Sequence, residues 1–276
     1  MSLFVSTKAI FRKYQIDKTG QPVCLYKTGQ PVCFLESKSM SFNLKSETVR
    51  FSPIVELRQY TLHPGRRDEL IDLFDMNFVE SQEETGMKII GQFRDLNRPD
   101  HFVWLRGFET MEHRREALAA FYGGSVWAAH KHAANATMID SDDVLLLRPA
   151  WKDAGFDLEN AQRGEAENAI FLAEIFHLSQ EQEGVFADLW KQTVLPLYGK
   201  HGAKLIGAFV SEHSENTFPR LPVRANENVF VAFSRFNDQQ SVSDYMQALD
   251  EFPSLKTHFS KPSERLVLSP TTRSLL

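Results

Sequence analysis

The fold is decided by Gly86-Met-Lys-Ile-Ile-Gly-Gln-Phe93, because a close copy, Gly202-Ala-Lys-Leu-Ile-Gly-Ala-Phe209, follows 116 residues later. Six of the eight aligned positions are identical or conservative. The same offset aligns Tyr60 with Phe176 and needs no gap over the intervening residues. The sequence therefore contains one structural unit written twice.

Later parts of the two copies align at other offsets. Phe102–Phe108 lies over Phe230–Phe236 at 128 residues, so the second copy has about twelve extra residues around Pro219-Arg-Leu-Pro222. Leu145–Pro149 lies over Leu266–Pro270 at 121 residues, so the second copy lacks seven residues before its last strand. The extra residues are predicted to form a loop insertion.

Each copy has the pattern strand, helix, strand, strand, helix, strand. In the first copy, alternation and helical spacing predict strands at Ile54–Leu62, Lys88–Arg94, His101–Phe108 and Val144–Arg148, and helices at 66–84 and at 110–138 with an interruption at Gly123-Gly124. The second copy follows the same order. Its helices are predicted to begin at the capping sequences Ser179…Gln182 and Ser241…Asp244.

A βαββαβ unit folds most simply as a ferredoxin-like sandwich, with two helices on one face of a four-stranded antiparallel sheet. The other face of this sheet is apolar and needs cover, which a second copy in the same chain can supply. We therefore predict an α+β protein. Its two ferredoxin-like repeats, at 54–149 and 170–270, pack sheet to sheet as an intramolecular eight-stranded barrel and are joined by a linker at 150–169.

Residues 1–50 differ from the rest, because they carry a balance of +5 in a chain whose net charge is −5. They are predicted to form a poorly ordered basic extension. Both cysteines, Cys24 and Cys33, lie there in a short local duplication, and their role stays open. A cytoplasmic location is predicted, with a mitochondrial presequence in this basic segment as the alternative.

The composition limits the classes of partner. The chain has 276 residues, of which 42% are hydrophobic and 24% charged, as in an ordinary globular protein. We predict no membrane span, because no apolar run approaches 18 residues. The mild net charge predicts no nucleic-acid partner, and homo-oligomer formation is left open.

Three motifs of the first copy resemble the NIPSNAP family of the dimeric α+β barrel superfamily: Val55-Glu-Leu-Arg-Gln-Tyr-Thr-Leu-His-Pro-Gly65, Asp95-Leu-Asn97 and His101-Phe-Val-Trp-Leu-Arg106. The resemblance covers 54–149 well and 170–270 more loosely. It implies the barrel fold but no settled activity, and eukaryotic relatives are associated with mitochondria and with vesicle or mitophagy roles. The wider superfamily includes cofactor-free monooxygenases, muconolactone-type isomerases and haem-binding proteins, so fold analogy does not choose the chemistry.

Several catalytic motifs are missing from the sequence. It contains no Walker loop, no Gly-x-Gly-x-x-Gly after a strand, no His-Glu-x-x-His, no EF-hand loop and no Gly-x-Ser-x-Gly. These absences argue against NTP hydrolysis, nicotinamide chemistry and serine hydrolysis.

His130 is the predicted catalytic residue. On a helix that begins near Ser125 it shares a face with Val126 and Ala133, directed toward the sheet, and the offset of 128 aligns it with His258. An imidazole there can act as a general base, and the superfamily resemblance implies an axial haem ligand as another role. The competing interpretation is a core histidine bonded to a backbone carbonyl. No metal site is predicted, and the cofactor stays unknown with haem as a candidate.

The predicted ligand-binding residues lie on the strands and on the same helix: Arg58, Tyr60, Trp104, Arg106, Trp127 and Asn135. Arg58 or Arg106 would hold a carboxylate or phenolate, with Trp104 as an aromatic wall. Otherwise these charges line a wet barrel or meet solvent. Because Glu174 replaces Arg58 in the second copy, the two are also predicted to pair inside the barrel.

The predicted function is binding of a small apolar or aromatic ligand in a cavity of the first half, with monooxygenase- or isomerase-type chemistry as an extension. The alternative is a non-catalytic protein-interaction or scaffold module. A cavity lined by His130, Trp104 and Arg58 would favour the first interpretation. A filled barrel with an exposed apolar patch would favour the second.

Overall fold

The computed structural model describes residues 52–166 and 168–276, so the predictions for residues 1–50 and their cysteines lie outside the described residues. The first half contains β1 (Ile54–Leu62), α1 (Arg67–Asn77), α2 (Val79–Glu83), β2 (Lys88–Asp95), β3 (His101–Phe108), α3 (Met111–Gly123), α4 (Ser125–Asn135) and β4 (Met138–Pro149). The second half contains β5 (Ile170–His177), α5 (Glu183–Thr193), α6 (Leu195–Tyr198), β6 (Lys204–Ser211), β7 (Val229–Phe236), α7 (Gln239–Asp250), α8 (Pro253–Lys256) and β8 (Glu264–Pro270).

The eight strands form one closed barrel in the order β1-β3-β2-β8-β5-β7-β6-β4. Each half contributes the same antiparallel order, β4-β1-β3-β2 and β8-β5-β7-β6. Two seams join the halves: β2 pairs with β8, and β4 pairs with β6. The predicted fold, two ferredoxin-like repeats closed into an α+β barrel, is confirmed. Within the described residues, no helix is both long and apolar enough to cross a bilayer.

The interior of the barrel is a packed apolar core. Strand residues alternate between the interior and the helix-covered outer face. Phe156, from the segment that joins the halves, inserts into this core with its ring 4.7 Å from that of Phe209 and 5.4 Å from that of Phe233, measured between centroids. Part of the segment predicted as a linker therefore belongs to the core.

The same alternation makes one predicted ion pair wrong. Leu57 and Ala173 face the barrel interior, so their neighbours Arg58 and Glu174 face the helices of their own halves. Arg58 pairs with Glu56 at 2.7 Å, whereas Glu174 accepts a hydrogen bond from Tyr245 at 2.8 Å. Arg58 and Glu174 do not meet inside the barrel.

The helix boundaries differ from the prediction at three places. The helix predicted at 66–84 is divided into α1 and α2 at Phe78. The residue before α5 is Gln182, which makes no capping hydrogen bond through its side chain. Helix α7 is capped by Asp238, whose carboxylate accepts the Ser241 N–H at 2.7 Å. Both predicted capping sequences are therefore wrong.

Close packing explains why glycine recurs in the repeated motif. A Cβ atom on Gly207 would lie 2.7 Å from Cε2 of Phe209 and 2.8 Å from Cε1 of Phe156. At the corresponding Gly91, a Cβ atom would lie 2.6 Å from Cε2 of Phe93. In both halves, a ring folds over the glycine and leaves no room for a side chain.

We expect Gly207→Ala to lower the free energy of unfolding by about 1–3 kcal/mol, because the added methyl overpacks the core. Urea unfolding measures this loss. Gly184→Ala is the control, because a Cβ atom at this helical glycine meets nothing within 4 Å and alanine is the better helix former. Similar losses in both variants would contradict the packing explanation.

Candidate functional site

A cavity of about 590 Å³ lies on the helix-covered side of the first-half sheet. Its volume is within the range of small-molecule sites. The wall combines residues from β1, α3, α4, β4 and a loop of the second half: Tyr60, Tyr122, Gly123, Gly124, Trp127, Ala128, Lys131, Asn135, Met138, Ser141, Phe218, Arg220 and Leu221. Aromatic rings and aliphatic groups make up much of this surface, with a few polar groups among them.

Two glycines form the wall between α3 and α4. Gly124 is extended, with φ −81° and ψ 165°, and separates the two helices as predicted. A Cβ atom at Gly123 would meet nothing within 4 Å. Gly123 therefore borders open space, whereas a Cβ atom on Gly124 would lie 3.1 Å from the carbonyl oxygen of Ala120.

The second repeat closes the cavity with its loop insertion. Asn216 Oδ1 accepts a hydrogen bond from Nη1 of Arg114 at 2.9 Å, and Thr217 Oγ1 donates to the carbonyl of Met111 at 2.8 Å. The Phe218 ring stacks on Tyr122, with centroids 6.1 Å apart and planes at 24°. The insertion identified by repeat alignment is thus anchored on α3, and both repeats build the site.

Beneath the cavity, Glu56 binds three buried arginines. Its Oε2 accepts from Nη1 of Arg58 and from Nε of Arg106, each at 2.7 Å, and its Oε1 accepts from Nε of Arg114 at 2.6 Å. Burial alone would raise the pKa of Glu56, but the three guanidiniums outweigh it and hold this pKa well below its usual range. The four side chains therefore carry a net charge of +2 behind the cavity.

Tyr60 connects this network to the cavity. Nε of Arg58 donates to the Tyr60 hydroxyl oxygen at 3.1 Å. Burial raises the pKa of Tyr60, although Arg58 opposes the shift, so the phenol is neutral at pH 7. Because its oxygen accepts from Arg58, its O–H can donate elsewhere, and no acceptor for that O–H is found among the described residues. A ligand in the cavity can supply the acceptor.

The structure brings the predicted ligand-binding residues together in two layers. Tyr60, Trp127 and Asn135 belong to the cavity wall. Arg58 and Trp104 lie behind Tyr60, with the guanidinium 5.4 Å from the centroid of each ring. The remaining member, Arg106, lies 5.1 Å from the Trp104 ring and is engaged by Glu56.

His130 lies outside the cavity wall. Its half-buried ring stands edge-on to Phe78, with centroids 6.3 Å apart. His258 does not occupy an equivalent helical position, because α8 ends at Lys256, and its Nδ1 lies 3.2 Å from Oε1 of Gln182. The prediction of a shared helical histidine is therefore wrong, since the second repeat shortens this helix to one turn.

The sequence interpretation missed Arg114, Tyr122 and the three loop residues Phe218, Arg220 and Leu221. Arg114 lies on a predicted helix, and no nearby residue in the sequence indicates which carboxylate it binds. The loop residues did have a signal, because the insertion had been located. Nothing in the alignment of the repeats, however, shows that a loop of one repeat covers the other.

The wall does not fit a haem ligated by His130. Haem iron takes an axial ligand such as histidine, cysteine, methionine or tyrosine. His130 is not in the wall, and the hydroxyl oxygen of Tyr60 is occupied by Arg58. Among residues 52–166 and 168–276, no cluster of His, Cys, Asp and Glu is arranged to bind a metal ion.

The second half buries a different polar cluster. Glu174 accepts the Tyr245 hydroxyl, and Ser234 donates to the Tyr198 hydroxyl oxygen at 2.6 Å. Burial raises the pKa of Glu174 to about 7, and Asp250 adds to this rise, while Tyr245 and Arg265 oppose it. Glu174 occupies the position that corresponds to Arg58 of the first half. The second half therefore has a carboxyl group there, with little positive charge to compensate it.

Comparison with known proteins agrees with this architecture. Residues 55–151 match the family model described as NIPSNAP. A candidate monooxygenase from Fusobacterium nucleatum is 11% identical, with a TM-score of 0.52 over 80% of this chain and 93% of its own. An anthrone oxidase-like protein is 9% identical, with a TM-score of 0.52 over 79% and 91%. At these identities the similarity shows the fold alone.

A smaller relative corresponds to part of the chain. A NIPSNAP-like domain protein from Burkholderia xenovorans is 24% identical, with a TM-score of 0.33 over 35% of this chain and 84% of its own. A search of curated proteins found no match.

Proposed function

We propose that the first-half cavity of this chain, whose residues 55–151 match the NIPSNAP family model, binds a small aromatic molecule bearing an acceptor oxygen. One observation carries the proposal. The hydroxyl of Tyr60, a residue of the cavity wall, accepts a hydrogen bond from Arg58 behind it, so the hydroxyl proton of Tyr60 is available to a ligand. The rings of Tyr122, Trp127 and Phe218 supply the apolar surroundings for an aromatic body.

The wall supports binding more directly than catalysis. A donor at a carbonyl oxygen stabilises the negative charge that develops when a neighbouring C–H bond is broken, as isomerase-type chemistry requires. Such a reaction also needs a base within reach of the ligand. Among the described wall residues there is no carboxylate or imidazole, and His130 lies beside Phe78. The catalytic role of His130 is therefore not part of this proposal.

The scaffold alternative has weaker support. The barrel is filled, as that alternative predicts, and His130, Trp104 and Arg58 do not line the cavity. A cavity is nevertheless present outside the barrel, under α3 and α4. In the part of the chain that the structure describes, four large apolar side chains are exposed, and they lie on four separate segments: Met76, Leu96, Ile139 and Val185. Single exposed apolar residues are ordinary features of a protein surface.

Two neutral probes of similar shape test the binding proposal: 2-acetylnaphthalene, which has an acceptor oxygen, and 2-ethylnaphthalene, which has none. We expect Tyr60→Phe to weaken binding of 2-acetylnaphthalene up to about tenfold and to leave 2-ethylnaphthalene unchanged, because one hydrogen bond is lost. Calorimetric titration measures both dissociation constants. His130→Ala is the matched control and should change neither.

The proposal fails if the unmodified protein binds neither probe. It also fails if Tyr60→Phe weakens both probes equally, because the variant would then disturb the shape of the cavity and not a hydrogen bond. If His130→Ala alone loses binding, the ligand is bound at His130 and not at Tyr60.

A further inference from the structure

The charged residues of the cavity wall are both cations. Lys131 lies on α4, and Arg220 lies on the insertion from the second repeat. Among the residues that the structure describes, no acidic side chain belongs to the wall and no ion pair forms to either cation. The guanidinium of Arg220 lies 6.0 Å from the centroid of the Phe218 ring, so cation and aromatic surface are adjacent.

The buried network behind the wall has the same sign. Glu56 compensates one of three guanidiniums, and Arg58, which carries part of the surplus, is hydrogen-bonded to Tyr60. Charges separated by protein interact more strongly than charges separated by water. An anion in the cavity would therefore be attracted both by the cations of the wall and by the buried surplus of positive charge.

We propose that the preferred ligand is an aromatic carboxylate, recognised by Arg220 and Lys131. The inference rests on the proposed function and names the substrate class of the same cavity. Its ring would pack among Tyr122, Trp127 and Phe218. The planar fork of a guanidinium matches the two oxygens of a carboxylate, which favours this anion over a phenolate.

The position of Arg220 follows from the anchoring of the insertion. Asn216 and Thr217 fix the loop to α3. They directly precede Phe218, which stacks on Tyr122. Arg220 follows two residues later. The second repeat thereby supplies the cation that selects the ligand of the first repeat.

The test compares naphthalene-2-carboxylate with 2-acetylnaphthalene, which has nearly the same shape without the charge. We expect the unmodified protein to bind the carboxylate at least about tenfold more tightly, with a preference that declines as salt is raised. Arg220→Gln should remove about tenfold of carboxylate affinity and leave 2-acetylnaphthalene unchanged. Arg235→Gln, at an exposed arginine on β7, is the control and should keep the preference.

Three results would overturn the inference. Equal binding of the two probes by the unmodified protein would refute carboxylate selection while leaving the proposed function intact. Binding of neither probe would remove both proposals. If Arg220→Gln keeps the preference for the carboxylate, or weakens binding of both probes equally, Arg220 does not recognise the carboxylate and serves only to pack the loop.

Discussion

Replacing Glu56 by Gln is expected to cost about 3–5 kcal/mol of the free energy of unfolding, because three buried guanidiniums lose their one carboxylate. The amide keeps the shape of the side chain, so the loss reports charge and not a cavity. Urea unfolding followed by tryptophan fluorescence measures it. If the single variant does not fold, Glu56→Gln combined with Arg114→Met should recover part of the stability, because one uncompensated cation is then removed.

Glu69→Gln provides the control for this prediction. Glu69 pairs with Arg66 on the surface, where both side chains are substantially exposed. Surface ion pairs contribute little, so this variant should unfold almost as the unmodified protein does. A similarly small effect of Glu56→Gln would show that the arginine network is hydrated and does not need its carboxylate.

Replacing Glu174 by Gln is expected to stabilise the protein at alkaline pH. The folded-state pKa of Glu174 is about 7, raised by burial from an ordinary value of 4.5. As pH rises between these values, the unfolded chain releases the proton before the folded chain does, so stability falls. The loss amounts to about 3 kcal/mol above pH 7. Glutamine does not titrate, and its side-chain oxygen can still accept from Tyr245.

The measurement is the difference in unfolding free energy between Glu174→Gln and the unmodified protein at several pH values. This difference should move by about 3 kcal/mol in favour of the variant from pH 4.5 to pH 8. Glu251→Gln, at an exposed residue after α7, should show no such change. A difference that is constant with pH would mean that Glu174 is already ionised in the folded protein without penalty.

Much of the barrel could be predicted from the sequence, because its strands are indicated by local alternation and the pairing of its halves by the sequence repeat. Alternation placed β1 at Ile54–Leu62, as found, and the repeat implied that both halves share one strand order. The division of the first helix at Phe78 had no comparable signal. The cap of α7 was missed because Asp238 reaches the Ser241 N–H from three residues earlier than the predicted start.

The site could be predicted only in part, for a physical reason. Tyr60 and Trp127 were identified because each lies on a regular element whose periodicity reveals its face. Arg114 reaches Glu56 across 58 residues of sequence, and Phe218 reaches the cavity from the other repeat. Contacts of this length depend on the closed barrel, and periodicity within one element does not record them.

The loop from the second half also constrains how this protein can evolve. Arg114 and Asn216 come from different copies of an ancestral unit, yet each satisfies the other's hydrogen bond. A mutation at one position changes the selection acting on the other, so these positions should covary across homologues that keep the fused arrangement. Homologues made of a single unit should show no such covariation, and another segment should line their pocket in place of this loop.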